Sequence, residues 1–238
     1  MNTSVDLAHL KKEIMQDIYN NRMLLTSKRD RPEGWTLHSG LWSPFYIQLR
    51  ILSSFPSTLK KVGVAMTRLI HEKVPHVDRI VGIAFAGVPI ATAISLESRI
   101  PSCHTRKLSG VRSSDELSEA LSSYGQHSLL EGEINDGDVL CLVDDLVTGM
   151  TSKLVARDQI QAEIKRRNLT DVICEDIVVI VDRQQGAVEK AKAAGLNLYS
   201  LIDFVDEGLP FLKDLMVKEE YELVSGYLTN PQDFQPGD

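Results

Sequence analysis

The chain has 238 residues, with 26 Lys and Arg against 33 Asp and Glu, a formal net charge of -7 and 43% hydrophobic residues. It can bury the core of one α/β-sized domain, or of one domain with an appendage, which excludes disorder, collagen-like repetition and coiled coil. The acidic balance disfavours a general nucleic-acid binder, which needs surplus Lys and Arg to neutralise phosphates, so any bound anion has to be held locally.

Taken in chain order, the amphipathic start predicts a helix from about Asp6 to Lys28, then a polar turn, KRDRPEG, and an extended segment ending in PFYIQLR with strand character. Apolar spacing from Leu59 to Ile70 predicts a helix over Pro56–Lys73. Strands RIVGIAF, DVLCLVDDLV, CEDIVVIVD and LNLYSLIDF alternate with helices PIATAISLES, SKLVARDQIQAEIKRR and GAVEKAKAAG. Continuous apolar strands separated by helices mean a mainly parallel sheet covered on both faces, an α/β fold whose ligands gather at the carboxyl ends of the strands.

Between Lys107 and Gly137 a long polar segment breaks this rhythm and reads as a lid or a disordered surface loop. The last stretch, from Phe211, reads as a tail that frays or docks on another subunit. Cys103, Cys141 and Cys174 lack disulfide or zinc spacing and read as buried hydrophobes, with the reducing cytoplasm as the expected compartment. The N-terminus lacks the basic start and apolar core of a signal peptide. The apolar stretch Ile80–Leu96, interrupted by Gly82, Gly87 and Pro89, falls short of the roughly 20 residues that span a bilayer, so no membrane partner is expected.

The strongest motif is VLCLVDDLVTGMTS, Val139–Ser152: a buried strand running into Asp144 and Asp145, then a turn of small and hydroxyl residues that opens a helix. Backbone N–H groups of such a turn, hydroxyls and the helix N-terminus can cradle a phosphate, and the acids can accept hydrogen bonds from sugar hydroxyls or bias a nearby metal. The alternative is a capped helix after a strand end, which two adjacent acids beside an apolar strand disfavour unless they have a partner.

This segment resembles the ribose-phosphate signature of type I phosphoribosyltransferases, and further blocks in order narrow the resemblance to the orotate phosphoribosyltransferase family. They are TLHSGLWSPFYIQLR (Thr36–Arg50), IVGIAFAGVPIATAI (from Ile80), TRK (Thr105–Lys107), YGQHSLLEG (Tyr124–Gly132) and VDRQQGA (Val181–Ala187). The resemblance implies a small N-terminal hood with the first helix over residues 1–50, a phosphoribosyltransferase core over 51–210 with an expanded mobile loop at about 107–137, and a tail over 211–238. It implies transfer of ribose 5-phosphate from 5-phosphoribosyl 1-pyrophosphate to orotate with Mg²⁺, in a homodimer whose loops reach over the partner's site.

By the same resemblance, Ala84, Phe85, Ala86 and Gly87 form the pyrophosphate loop, and Arg106 and Lys107 hold pyrophosphate. Asp144 and Asp145 hold ribose hydroxyls, and Thr148, Gly149, Met150, Thr151 and Ser152 surround the 5-phosphate. His38, Tyr46, Thr148 and Arg183 face the acceptor, Arg183 as a bidentate match for its carboxylate. Two positions depart from the family pattern. Ser122 stands where a loop lysine is expected, so that the cation comes from elsewhere, Arg112 or His127, or is absent, and Met150 stands at the centre of the phosphate turn, where a side chain could crowd a phosphate that needs close backbone approach. These departures keep two other readings open: a different nucleobase acceptor, or a ligand-binding relative without turnover.

Overall fold

The computed structural model describes residues 6–37, 40–111, 113–123 and 127–235. In chain order the elements are α1 (Leu7–Asn20), β1 (Leu24–Thr26), β2 (Trp35–Thr36), β3 (Trp42–Ser43), β4 (Phe45–Ile47), α2 (Pro56–Lys73), β5 (Arg79–Gly82), α3 (Gly87–Ser98) and β6 (Ser102–Thr105). They continue with α4 (Ser114–Ser123), β7 (Leu130–Glu131), β8 (Val139–Val147), α5 (Thr151–Arg166), β9 (Ile173–Asp182), α6 (Ala187–Ala193), β10 (Asn197–Asp203) and α7 (Lys218–Thr229). Contacts divide the chain into two units, Met1–Thr58 with Ile202–Asp238, and Leu59–Leu201.

In the first unit α1 buries Ile14, Met15, Ile18 and Tyr19. It stops eight residues short of the expected Lys28, because Asn21 caps it and Arg22 takes a left-handed φ of 57°, which no continuing helix adopts. The chain then turns into β1, paired antiparallel with β4. The described part of the C-terminal stretch, to residue 235, contributes a packed helix. Its helix α7 buries Val224 and Tyr227, with Tyr227 edge-on to Phe45 at 5.9 Å, and Glu220 accepts hydrogen bonds from Tyr19 and Thr26. A carboxylate this deeply buried is tolerable only because hydroxyls satisfy it.

The second unit holds most of a six-stranded sheet of order β10-β9-β8-β5-β6-β7. Strands β5, β6, β8 and β9 run parallel where their pairing is defined, and β7 lies antiparallel on β6. Residues Ile177 to Val181 of β9 are all fully buried, as expected for a strand covered on both faces. The chain passes from β5 outward to β6 and β7, then returns to place β8 on the other side of β5. The gap between β5 and β8 is thus the topological switch point, where α/β sheets place their ligands.

The described residues of the inserted segment include a helix. Its helix α4 belongs to a separate apolar cluster in which Leu108, Val111, Leu117 and Leu129 are buried, with Val155 and Ala162 of α5 packed against them. Spacing hid this because the four apolar residues are spread over a charged, serine-rich stretch. No described helix is long and apolar enough to cross a membrane.

Candidate active site

At the end of β8 the ladder to β5 stops at Val143, whose carbonyl accepts the N–H of Ile83 at 3.0 Å, whereas pairing to β9 continues to Val147. Asp144 is the first residue past that point. Its carboxylate accepts the N–H of Asp145 at 2.9 Å and lies 2.8 Å from the Nζ of Lys153, which also donates to the Leu146 carbonyl at 2.6 Å. Both side chains of this ion pair are nearly fully buried, at 5% exposure for Lys153 and 9% for Asp144. The Asp145 carboxylate accepts the N–H of Leu146 at 2.8 Å. Burial and the charge of Asp144 push the Asp145 carboxyl above the usual range, against the pull of Lys153 and that N–H. Lys153 therefore pairs with Asp144 and its charge also offsets that of Asp145.

The turn from Thr148 to Met150 leads into α5 without any side chain capping the helix; the Lys153 N–H donates to the Met150 carbonyl at 2.9 Å, which leaves the exposed Thr151 and Ser152 at the open helix start. With the helix dipole, that is an anion-binding arrangement. Met150 does not crowd it. The side chain is 1% exposed and packs in the sheet's main apolar cluster, pointing away from the turn's polar side, while Gly149 has only the Lys190 ammonium, at 3.8 Å, near an added Cβ. The backbone thus directs the Met150 side chain into the core.

Across the switch point, Ile83–Gly87 forms a tight loop. The N–H of Ala84 donates to the Thr105 hydroxyl at 3.0 Å, the Ala84–Phe85 peptide is cis, Phe85 is exposed and Ala86 is the last residue before α3. A Cβ on Gly87 would lie 2.3 Å from the Val143 carbonyl oxygen, and one on Gly82 would lie 2.7 Å from that of Gly87. Only glycine lets this loop approach β8 so closely. Arg106 and Lys107 follow β6 directly and are exposed, with Arg106 3.4 Å from Glu131 in a pair open to solvent and therefore weak. Arg183 follows β9. Its side chain is buried, and its N–H donates to the Val147 carbonyl at 3.0 Å, tying the end of β9 to the start of the phosphate turn.

The sheet thus gathers Ala84–Gly87, Arg106, Lys107, Asp144–Ser152 and Arg183 at the carboxyl ends of neighbouring strands. Tyr46 belongs to the other unit, on β4, stacked on Trp35 with centroids 6.2 Å apart. His38 and Arg112 lie outside the described residues. Ser122 lies in α4, and His127 is exposed with its carbonyl accepting from Arg166.

Lys153, Gln159 and Glu163 were not singled out by the motifs, and Thr105 entered only as part of the TRK block. A signal existed for Lys153: a cation in the first turn of a helix opposes the dipole and so points to a nearby anion. Among the described residues no group of three or more His, Cys, Asp or Glu could hold a metal ion.

No family model matches the chain. The orotate phosphoribosyltransferase of Methanothermobacter thermautotrophicus is 35% identical to it over 170 residues, covering 71% of this chain and 82% of that protein. The structure of Leishmania donovani UMP synthase aligns with a TM-score of 0.73 at 23% identity, covering 95% of this chain and 44% of that one. Mycobacterium tuberculosis orotate phosphoribosyltransferase in complex with 5-phospho-α-D-ribosyl 1-diphosphate aligns with a TM-score of 0.57 at 22% identity, covering 84% of this chain and 99% of that one. With the type I phosphoribosyltransferase fold and this arrangement of strand ends, the chain belongs to the orotate phosphoribosyltransferase family.

Proposed function

We propose that the chain transfers ribose 5-phosphate from 5-phosphoribosyl 1-pyrophosphate to the ring nitrogen of orotate, forming orotidine 5′-monophosphate and pyrophosphate, a step of pyrimidine biosynthesis. The observation that carries this reading is the meeting, at one switch point, of an uncapped helix start, an acid pair of which Asp144 is buried and Asp145 half-buried, and two exposed cations. The C1–O bond to pyrophosphate breaks with its electron pair leaving on oxygen, the C1–N bond forms, and the nitrogen's proton passes to solvent. Charge accumulates on the leaving pyrophosphate, and preorganised donors aimed at it lower the barrier.

In this reading Arg106, Lys107 and the backbone of the Ala84–Gly87 loop meet the pyrophosphate, the N–H groups of Ala84 and Gly87 being held by the Thr105 hydroxyl and the Ile83 carbonyl within the loop. Asp144 and Asp145 accept the ribose hydroxyls, Thr148–Ser152 wraps the 5-phosphate, and Arg183 pairs with the orotate carboxylate. Mg²⁺ fits this donor set as an ion brought by the substrate: it is commonly held by one or two carboxylates, here Asp144 and Asp145, together with phosphates and water. Once bound, it would neutralise charge on the departing pyrophosphate. A cytoplasmic homodimer completes the proposal, supported by the family resemblance.

The test is consumption of orotate in the presence of donor and Mg²⁺, followed spectroscopically with other bases in parallel. Asp144→Asn with Asp145→Asn is expected to abolish donor binding, and unchanged donor affinity would remove the acid pair from the site. Arg183→Ala is expected to weaken orotate far more than the donor. Ser122 at the loop-lysine position favours a second reading, a relative that binds donor without turnover. Donor binding by calorimetry with no base consumed would establish it, and consumption of another base alone would reassign the acceptor.

A further inference from the structure

Gln159 and Glu163 sit one turn apart on α5 and are almost wholly buried, at 4% and 0% exposure. The Gln159 side-chain amide donates to the carbonyl of Arg106 at 2.9 Å and to that of Leu129 at 2.7 Å. These residues form the root of the inserted segment, which the chain enters at Arg106 and leaves at Leu129, and the Arg106 N–H donates to the Leu129 carbonyl at 3.1 Å. One turn on, the Glu163 carboxylate accepts the Leu129 N–H at 3.0 Å and the Ser128 hydroxyl at 2.9 Å, and is neutralised by Arg166 at 2.8 Å and Arg167 at 2.7 Å.

The helix that carries this clamp starts at the phosphate turn, with Gln159 about 12 Å along its axis from Thr151. Apolar packing already docks α4 on α5. The polar clamp adds something different: it fixes the backbone beside Arg106 and Lys107 to the rod that carries the phosphate turn.

We infer that Gln159 and Glu163 are positioning residues for the donor reaction, registering Arg106 and Lys107 against the phosphate turn through α5. The inference rests on the assignment of those two cations to pyrophosphate. Gln159→Met keeps the side-chain volume and removes both donated bonds. A small displacement of a cation from the leaving group can cost about a hundredfold in rate. The expected result is therefore a kcat/KM for the donor lower by about tenfold to a hundredfold, with the KM for orotate and the melting temperature moving little.

On an Arg106→Ala, Lys107→Ala background, Gln159→Met is expected to add almost no further loss, since it acts through the residues already removed. Equal losses on both backgrounds, or equal effects on donor and orotate, would overturn the positioning role. Unchanged donor kinetics in Arg106→Ala, Lys107→Ala would instead refute the cation assignment itself. Should Gln159→Met fail to fold, the wild-type chain crystallised with inorganic pyrophosphate decides the matter. Gln159 is expected to keep both carbonyl bonds while Arg106 or Lys107 touches the anion, and cations that reach the anion only after those bonds break would refute the proposal.

Discussion

The ammonium of Lys153, on the first turn of α5, reaches back across the phosphate turn to lie 2.8 Å from the carboxylate of Asp144 on β8. One side chain thereby closes the turn into a ring and supplies the cation that the buried Asp144 requires. Removing one partner of a buried pair leaves an uncompensated charge. Lys153→Met is therefore expected to lower the unfolding free energy by about 3–5 kcal/mol in urea titrations. In the double variant with Asp144→Asn the losses should be less than additive by about 1 kcal/mol or more, because the second change removes the stranded charge. Additive losses would show that the two groups do not act as a pair.

Met150 was the residue that most endangered a phosphate site in the sequence, and its burial reverses the expectation. Met150→Ala should not improve donor affinity, since the side chain does not face the turn's polar side. It should cost about 2–5 kcal/mol of stability through the cavity it leaves. Tighter donor binding in that variant would return Met150 to the phosphate.

The two glycines flanking the switch point provide a steric contrast. A methyl group on Gly87 meets the Val143 carbonyl oxygen at 2.3 Å, and neither partner can yield, both being backbone. A methyl group on Gly149 meets only the mobile end of Lys190, at 3.8 Å. Gly87→Ala is expected to cost about 1–3 kcal/mol or more and to reduce donor binding with it, whereas Gly149→Ala should fold like the parent, as chemical denaturation would show.

The strands and helices of the sheet were legible because β8 and β9 are apolar throughout and α5 follows a hydroxyl-rich turn, features that depend on neighbours in sequence. The adjacent acids and the hydroxyl-rich turn that follows them could be read for the same reason. Lys153 was missed because its partner lies across the turn and its charge reads as surface. Gln159 and Glu163 were missed because their partners, Arg106 and Leu129, are brought to α5 only by the sheet. The end of α1 turned on the left-handed backbone of Arg22, a conformation for which a non-glycine residue gives no local sign. Helix α4 was hidden because four apolar residues scattered among serines and acids form a cluster only once α5 lies beneath them.

Two carboxyls, the buried Glu163 and the half-buried Asp145, make opposite contributions to the pH dependence of stability. Burial alone would raise the pKa of Glu163, but hydrogen bonds from Arg166, the Leu129 N–H, Arg167 and Ser128 bring it down to about 2. A folded-state pKa below the unfolded value of about 4.3 gives stability that is present above the unfolded pKa and lost as pH falls through the folded one. Unfolding free energy should thus decline between about pH 5 and pH 2, and Glu163→Gln should flatten that limb by about 3 kcal/mol while lowering stability at neutral pH. Asp145 has the opposite sign. Burial and Asp144 raise its pKa, so the folded state favours the protonated form, and its contribution is lost as pH rises above the ordinary carboxylate range. Asp145→Asn is therefore expected to be more stable than the parent at pH 8 and to bind donor less well. A loss of stability at that pH would mean that the ionised carboxylate is held by partners that outweigh its burial.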